Sequence, residues 1–223
     1  MENIYIAGTS HIAQESKHLI QKSFAEFKPE VVALELDVSR FHALMSEKQG
    51  TRSSSGALNQ FGIRGFLFFS IGRFIQKRLS KIVNTEPGIE MKEAISLAKK
   101  NNIPIILIDR PINITMKRVS ASLNFRFLLS LFKDLLTSPF KAKKRRFNLN
   151  TIPNDQLVGY LISEMKKTYP QLYKVLVEER DIYMSKKIIA FAKHNPNKKL
   201  LVVVGLGHKA GLSQRLNQVD ILG

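Results

Sequence analysis

Blocks of apolar residues with two different periods succeed one another along the chain. Residues 3–7 (NIYIA) are short and β-rich. From 13 to 27, Leu19, Ile20, Phe24 and Phe27 follow Ile12 at helical spacing, so the order predicted is strand, turn, helix. Residues 31–36 (VVALEL) form an unbroken apolar run of the kind found in strands covered on both faces. Asp37 is placed to cap a helix beginning near Val38. After the polar stretch TRSSSG at 51–56, residues 57–83 read as a long helix with a broad apolar face that includes Phe61, Phe66, Phe69 and Phe74. Arg64 and Arg73 leave only eight residues between charges in that helix, well short of the roughly 18 to 20 that a bilayer requires, so no transmembrane segment is expected.

Pro87 suits the first turn of a helix over 87–101, and IPIILID at 103–109 repeats the buried-strand pattern. Asn113 is the expected cap of a helix over 114–124, and a further apolar helix over 125–137 stops at Ser138-Pro139. KAKKRR at 141–146 follows. A helix then starts at Asn154 or Asp155 and runs to about Lys167, another runs without interruption from 170 to 194, and LLVVV at 200–204 is the last strand. Strands alternating with helices predict an α/β fold, a mainly parallel sheet flanked by helices on both faces. The chain reads as a single domain over residues 1–223, with the helix-rich stretches 57–100 and 113–195 as an insertion forming a cap.

Length and composition agree with one core: 223 residues, 44% apolar and 24% charged. The absence of cysteine removes disulfides, thiol catalysis and cysteine-ligated zinc, so any metal must be held by His, Asp or Glu. Thirty-five Lys and Arg against 18 Asp and Glu give a net charge of +17, which favours anionic partners. An anionic membrane surface leads among these, nucleic acid is less favoured, and a merely solvated basic surface is equally compatible. MENIYIAGTSH lacks the basic and apolar segments of a secretory signal, which points to the cytoplasm, with membrane association left open. Self-association into a homodimer is left open too.

The sharpest chemical signal is a pair. Gly8-Thr9-Ser10-His11 and Gly205-Leu206-Gly207-His208 share the form Gly-x-x-His, and each follows an apolar strand. A glycine there permits a tight turn, and the histidine then lies at the carboxyl edge of the sheet, where open α/β sheets bind ligands. If the first and last strands are neighbours, the two imidazoles converge. Glu35 lies within an apolar strand and must face a cleft or find a cationic partner, Arg40 or Arg110 being the candidates. A His11/Glu35/His208 set can hold a divalent metal that activates water, or can work without metal, one histidine acting as base and Glu35 orienting it. Asp109-Arg110 ends a buried strand at the same edge, the carboxylate suiting a metal shell and the guanidinium an anion. Glu90 opens a helix, where its charge suits the helix dipole. Glu179-Arg180-Asp181 lies within a helix, where such charged clusters form solvated faces or ion pairs.

GTSH, ALELDVSR, PGIEM, IDRPINITMKR, EERDIYM and VVGLGH, in this order over residues 3–212, resemble the motif set of the TraB/PrgY/Tiki family. That resemblance implies a fold akin to erythromycin esterases and ChaN-like proteins. It implies metal-dependent hydrolysis of peptide substrates for the Tiki branch, and pheromone inactivation or sequestration for PrgY. Position by position it marks His11, Glu35, Arg40, Glu90, Asp109, Arg110, Arg118, Arg180 and His208. The expected metal ligands are His11, Glu35 and His208, with manganese, cobalt or zinc as the cation. Glu35, Glu90, Arg40 and Arg110 are the expected catalytic groups. Arg40, Asp109, Arg110, Arg118 and Arg180 are expected to contact substrate. Two features depart from the family pattern: the chain stops at Gly223, where many relatives continue into membrane helices, and Pro111 stands where an acidic residue often follows the Asp-Arg pair. The alternative to a hydrolase is a non-catalytic protein that sequesters peptides or hydrophobic ligands.

Overall fold

The computed structural model describes residues 3–9, 13–46, 88–122 and 154–222. The expected helices over 57–83 and 125–137, the basic run at 141–146, and His11 lie outside the described residues. Four strands form one sheet: β1 (Ile4–Thr9), β2 (Val31–Leu34), β3 (Ile105–Leu107) and β4 (Leu200–Gly205). All pair in parallel, in the order β1-β4-β2-β3. The last strand is therefore inserted between the first two. Thr9 lies opposite Gly205, and Val203 opposite Leu34, which brings the carboxyl ends of β1, β4 and β2 to one edge.

Strand pleating sends alternate side chains to opposite faces, and here both faces are covered. Ala7, Val32, Leu34, Leu201 and Val203 face helices α1 (Ala13–Phe27) and α3 (Ile89–Lys100), meeting Ile20, Phe24, Met91, Ala94 and Ile95. Val31, Ala33, Leu200, Val202 and Val204 face the opposite layer, meeting Met184, Ile188, Leu212 and Leu216. That layer is α7 (Glu179–His194) and α8 (Leu206–Leu222). Burying each such Leu, Ile or Met side chain stabilises the fold by about 1.5–3 kcal/mol, which is why an unbroken apolar strand was a sound signal for a doubly covered sheet. Residues 89–100 and 179–194, assigned to a cap on sequence grounds, are covering layers of the sheet itself.

Short helices α2 (Val38–Met45) and α4 (Ile112–Ser122) leave the carboxyl edge, and α5 (Asn154–Thr168) and α6 (Pro170–Tyr173) precede α7. Asp37 caps α2 as expected, its Oδ1 accepting from the Arg40 N–H at 3.0 Å. Its other oxygen accepts from the Ile112 N–H at 3.2 Å, at the start of α4. That helix thus begins two residues earlier than expected. Asn113, the expected cap, lies inside its first turn and bonds only the adjacent Ile114 N–H. One carboxylate serves two helix starts, its own and one 75 residues further along the chain. With a single cap worth about 1 kcal/mol, Asp37→Ala is expected to cost about 2 kcal/mol in urea-unfolding measurements. A loss of a few tenths would show that solvent satisfies both N–H groups.

The helix expected over 170–194 is interrupted. A π-helical turn at Lys174–Glu178 separates α6 from α7, a rare geometry that is frequent at functional sites. Two carbonyls of this turn, those of Val175 and Leu176, accept hydrogen bonds from the guanidinium groups of Arg110 and Arg180.

Candidate functional site

Glu35 follows the last residue of β2. Its backbone N–H still bonds the Val203 carbonyl at 3.0 Å, so the sheet holds the residue at the carboxyl edge. Its side chain is almost fully buried, and Oε2 accepts from the Gly205 N–H at 2.7 Å, just before α8 begins. A carboxylate beside a helix N-terminus is favoured by the helix dipole. The other oxygen, Oε1, is bound by Arg180 Nη2 and lies 3.3 Å from His208 Nε2.

Arg180 is the centre of this cluster. Its Nε donates to Asp109 Oδ1 at 2.9 Å, and Nη2 donates to Asp109 Oδ2 at 2.9 Å as well as to Glu35. Nη1 donates to the Leu176 carbonyl at 3.2 Å and stands 2.9 Å from His208 Nε2. A guanidinium has five N–H groups; four here are taken by protein oxygens, and the fifth faces His208 Nε2. The bidentate grip on Asp109 uses a planar fork that lysine does not possess. Asp109 is gripped from a second side by Arg40 Nη1 at 3.0 Å, and it accepts from the Arg110 N–H at 2.7 Å. Burial alone would lower the affinity of Arg180 for its proton, but the Glu35 and Asp109 charges outweigh burial and raise it.

His208 lies in the first turn of α8 with its ring buried. Nδ1 is 2.6 Å from Asp181 Oδ1, and Asp181 is itself buried on α7. Desolvation works against the imidazolium, yet the Glu35 charge and the Asp181 hydrogen bond prevail and move the pKa up to about 9. Desolvation likewise works against ionised Glu35. His208, Arg180 and the Gly205 N–H together hold its carboxyl well below the usual range. Nε2 therefore faces two competing neighbours. In the imidazolium its hydrogen points to Glu35, whereas the neutral ring offers a lone pair to Arg180 Nη1. The raised pKa selects the first arrangement at neutral pH.

A second group adjoins this one. Arg110, buried, donates to Thr115, to Glu179 Oε2 at 2.7 Å and to the Val175 carbonyl. Arg118, 58% exposed, meets the other face of Glu179 at 2.5 Å. The Arg118 and Arg110 hydrogen bonds bring the Glu179 carboxyl down to about 2, against a smaller opposing effect of burial. A carboxyl whose folded pKa is depressed contributes stability above its unfolded value of 4.5, and loses it as pH falls through about 2. Urea midpoints measured from pH 5 down to pH 2 are therefore expected to fall less steeply in Glu179→Gln than in the unsubstituted protein. Identical slopes would mean that solvent screens the pair at the exposed Arg118.

The fold thus brings together Glu35, Arg40, Asp109, Arg110, Arg118, Arg180 and His208. Glu35 pairs with Arg180, while its expected partners go elsewhere, Arg40 to Asp109 and Arg110 to Glu179. Glu90 is buried in the first turn of α3, on the side that packs against the sheet. The two strands bearing the Gly-x-x-His motifs are hydrogen-bonded neighbours, as their convergence requires. Neither glycine serves a tight turn, since Gly8 lies within β1 and Gly205 ends β4, both without positive φ. Gly8 is small because α8 rests on it: a Cβ would come within 2.7 Å of the Lys209 side chain and 3.2 Å of Leu206. The Glu179-Arg180-Asp181 cluster is a set of ion pairs and not a solvated face, and Asp181, Met184, Ser185 and Ile188 are all buried. Their spacing of three, four and seven residues is that of one helix face, so the signal for Asp181 was present in the sequence.

As for a metal, His208 Nε2 and Glu35 Oε1 converge, and Asp181 orients the ring through Nδ1, as outer carboxylates do for histidine ligands. Among the described residues no three such donors group together, and the guanidinium of Arg180 stands against both. The donor pair therefore suits a cation only with Arg180 displaced. Two surface hollows, one bordered by Asn3, Phe191 and Pro196 and the other by Phe24, Lys28 and Leu97, border none of these residues.

The model of the TraB/PrgY/gumN family matches residues 1–221. The chain belongs to that family. An uncharacterized protein of Methanocaldococcus jannaschii is 31% identical over 98% of this chain and 54% of its own length. The TraB domain-containing proteins of Mus musculus and Homo sapiens are each 27% identical, over 95% of this chain and 62% of their own length. The chain therefore spans little more than half the length of these relatives. For this TraB/PrgY/gumN chain, no helix among the described residues is long and apolar enough to cross a membrane.

Proposed function

We propose that this family member is a hydrolase of peptides or related carbonyl substrates, reacting at the cluster on the carboxyl edge of the sheet. The observation that carries the reading is the buried His208, held by Asp181 through Nδ1 and turned toward Glu35 through Nε2. An oriented imidazole beside a carboxylate is equipped to move a proton at Nε2 during attack on a carbonyl. Arg40 is 43% exposed at the rim and Arg118 is more so, which suits them to hold a substrate carboxylate. With Arg180 displaced, a divalent cation would be held by His208 and Glu35, with His11 as third ligand, and would supply an activated water. Manganese, cobalt and zinc fit nitrogen and carboxylate donors of this kind. The test is a peptide-library digest, with and without added cation, using His208→Ala as control. Cleavage lost in the variant supports the reading, and equal cleavage ends it.

The second reading is a non-catalytic binder that sequesters peptides or hydrophobic ligands. It is favoured by the engagement of Arg180, four of whose five N–H groups are taken by oxygens of the protein itself. Elemental analysis separates the two readings, because a binder has no need of stoichiometric metal. Attachment to anionic membranes draws on the +17 charge and on the basic run at 141–146. Liposome flotation with and without anionic lipid tests it.

A further inference from the structure

Helices α7 and α8 approach closely where Asp181 meets Gly211, one turn beyond His208. A Cβ built on Gly211 would overlap Asp181 Oδ2 and stand 2.9 Å from its Cγ. Real Cβ atoms do not tolerate such contacts, and neither neighbour is able to give. The carboxylate is short, buried and fixed by a hydrogen bond, and the glycine belongs to the body of a helix. Gly207 on the same helix is different: a Cβ there would touch only the flexible end of Ile162, at 3.2 Å. Gly211 has no positive φ, so its lack of a side chain answers a need for space and not for backbone freedom. It does so at a cost, since glycine within a helix is about 1 kcal/mol worse than alanine. A helix that accepts this cost at the contact with a buried carboxylate is making room for that carboxylate.

We propose that Asp181 is the positioning residue of His208, and that Gly211 is the vacancy that admits its carboxylate to Nδ1. This rests on His208 being the reacting imidazole of the hydrolase reading. Asp181 touches no substrate in this proposal. It holds the hydrogen of Nδ1, so that Nε2 is the nitrogen presented to Glu35 and to whatever binds beside it. A carboxylate acceptor at 2.6 Å gives a short, charge-assisted hydrogen bond, and its burial protects the shared proton from exchange with water.

That proton is the readout. In the full-length chain with ¹⁵N-histidine, His208 Nδ1–H is expected to give a slowly exchanging, strongly downfield proton resonance, assigned by its absence in His208→Ala. Gly211→Ala is expected to lose the resonance, and Asp181→Asn to move it upfield, because an amide oxygen is a weaker acceptor than a carboxylate. Gly207→Ala is expected to keep it. Circular dichroism establishes that each variant is folded, and if Gly211→Ala does not fold, Asp181→Asn decides. An unshifted resonance in folded Asp181→Asn, or no such resonance in the unsubstituted protein, overturns the proposal. Peptide digestion is scored separately. A resonance that responds as expected in a protein that cleaves nothing leaves the positioning role standing and removes the hydrolase reading.

Discussion

Arg180→Met is expected to lower stability by about 3–5 kcal/mol, the cost of breaking a buried ion pair by removing one partner. The side chain is 15% exposed, and its loss strands two carboxylates, Glu35 and Asp109. Each keeps another support, the Gly205 N–H for Glu35 and Arg40 for Asp109, which places the effect nearer the lower bound. Against a total of about 5–15 kcal/mol for an ordinary domain, such a loss is a large fraction. Arg180→Lys is expected to recover little of it, because an ammonium does not reproduce the two parallel bonds to Asp109 while also reaching Glu35. Urea unfolding of the three proteins measures this. A methionine variant within 1 kcal/mol of the parent would mean that water reaches Glu35 and Asp109, and the buried character of the cluster would have to be given up.

On the hydrolase reading, His208→Ala is expected to reduce kcat/KM for peptide cleavage by about 10²–10⁴, the range supplied by a positioned proton-transfer group. The fold is expected to survive. The ring lies at the sheet edge, outside both apolar clusters, so its removal opens no cavity in either core layer. It does remove the hydrogen-bond partner of the buried Asp181, at a cost of about 1–3 kcal/mol. His208→Gln retains an amide able to donate to Asp181 and is expected to recover part of that stability without recovering turnover. The separation of the two readouts is the point of the pair: a variant that is stable and inactive assigns chemistry to the imidazole. Alanine and glutamine variants that both cleave normally leave His208 as an element of structure.

Three of the four described strands were legible because a parallel strand covered on both faces has no polar alternation, and VVALEL, IPIIL and LLVVV have none. The site was legible at Glu35 for the complementary reason, a carboxylate in such a run being too costly to leave unpaired. Its partner was not. Local sequence offered Arg40 and Arg110, whereas the partner is Arg180, 145 positions away, because the insertion of β4 beside β2 brings α7 and α8 over the end of that strand. The start of α4 was missed for a similar reason. Capping rules look to adjacent residues, and Asp37 reaches across from another helix.

Among the described residues, the sequence by itself determined which segments are strands and helices, apart from the π-helical turn, that the sheet is covered on both faces, and that the carboxyl edge carries His208, Glu35, Asp109 and Arg110. These follow from local periodicity and from the cost of burying charge. The tertiary structure alone decided that Arg180 stands between Glu35, Asp109 and His208, that Asp181 is turned inward, and that Gly8 and Gly211 are small because something rests against them. Pairing of charges and the space between helices depend on distances across the fold, and no spacing along the chain encodes those distances.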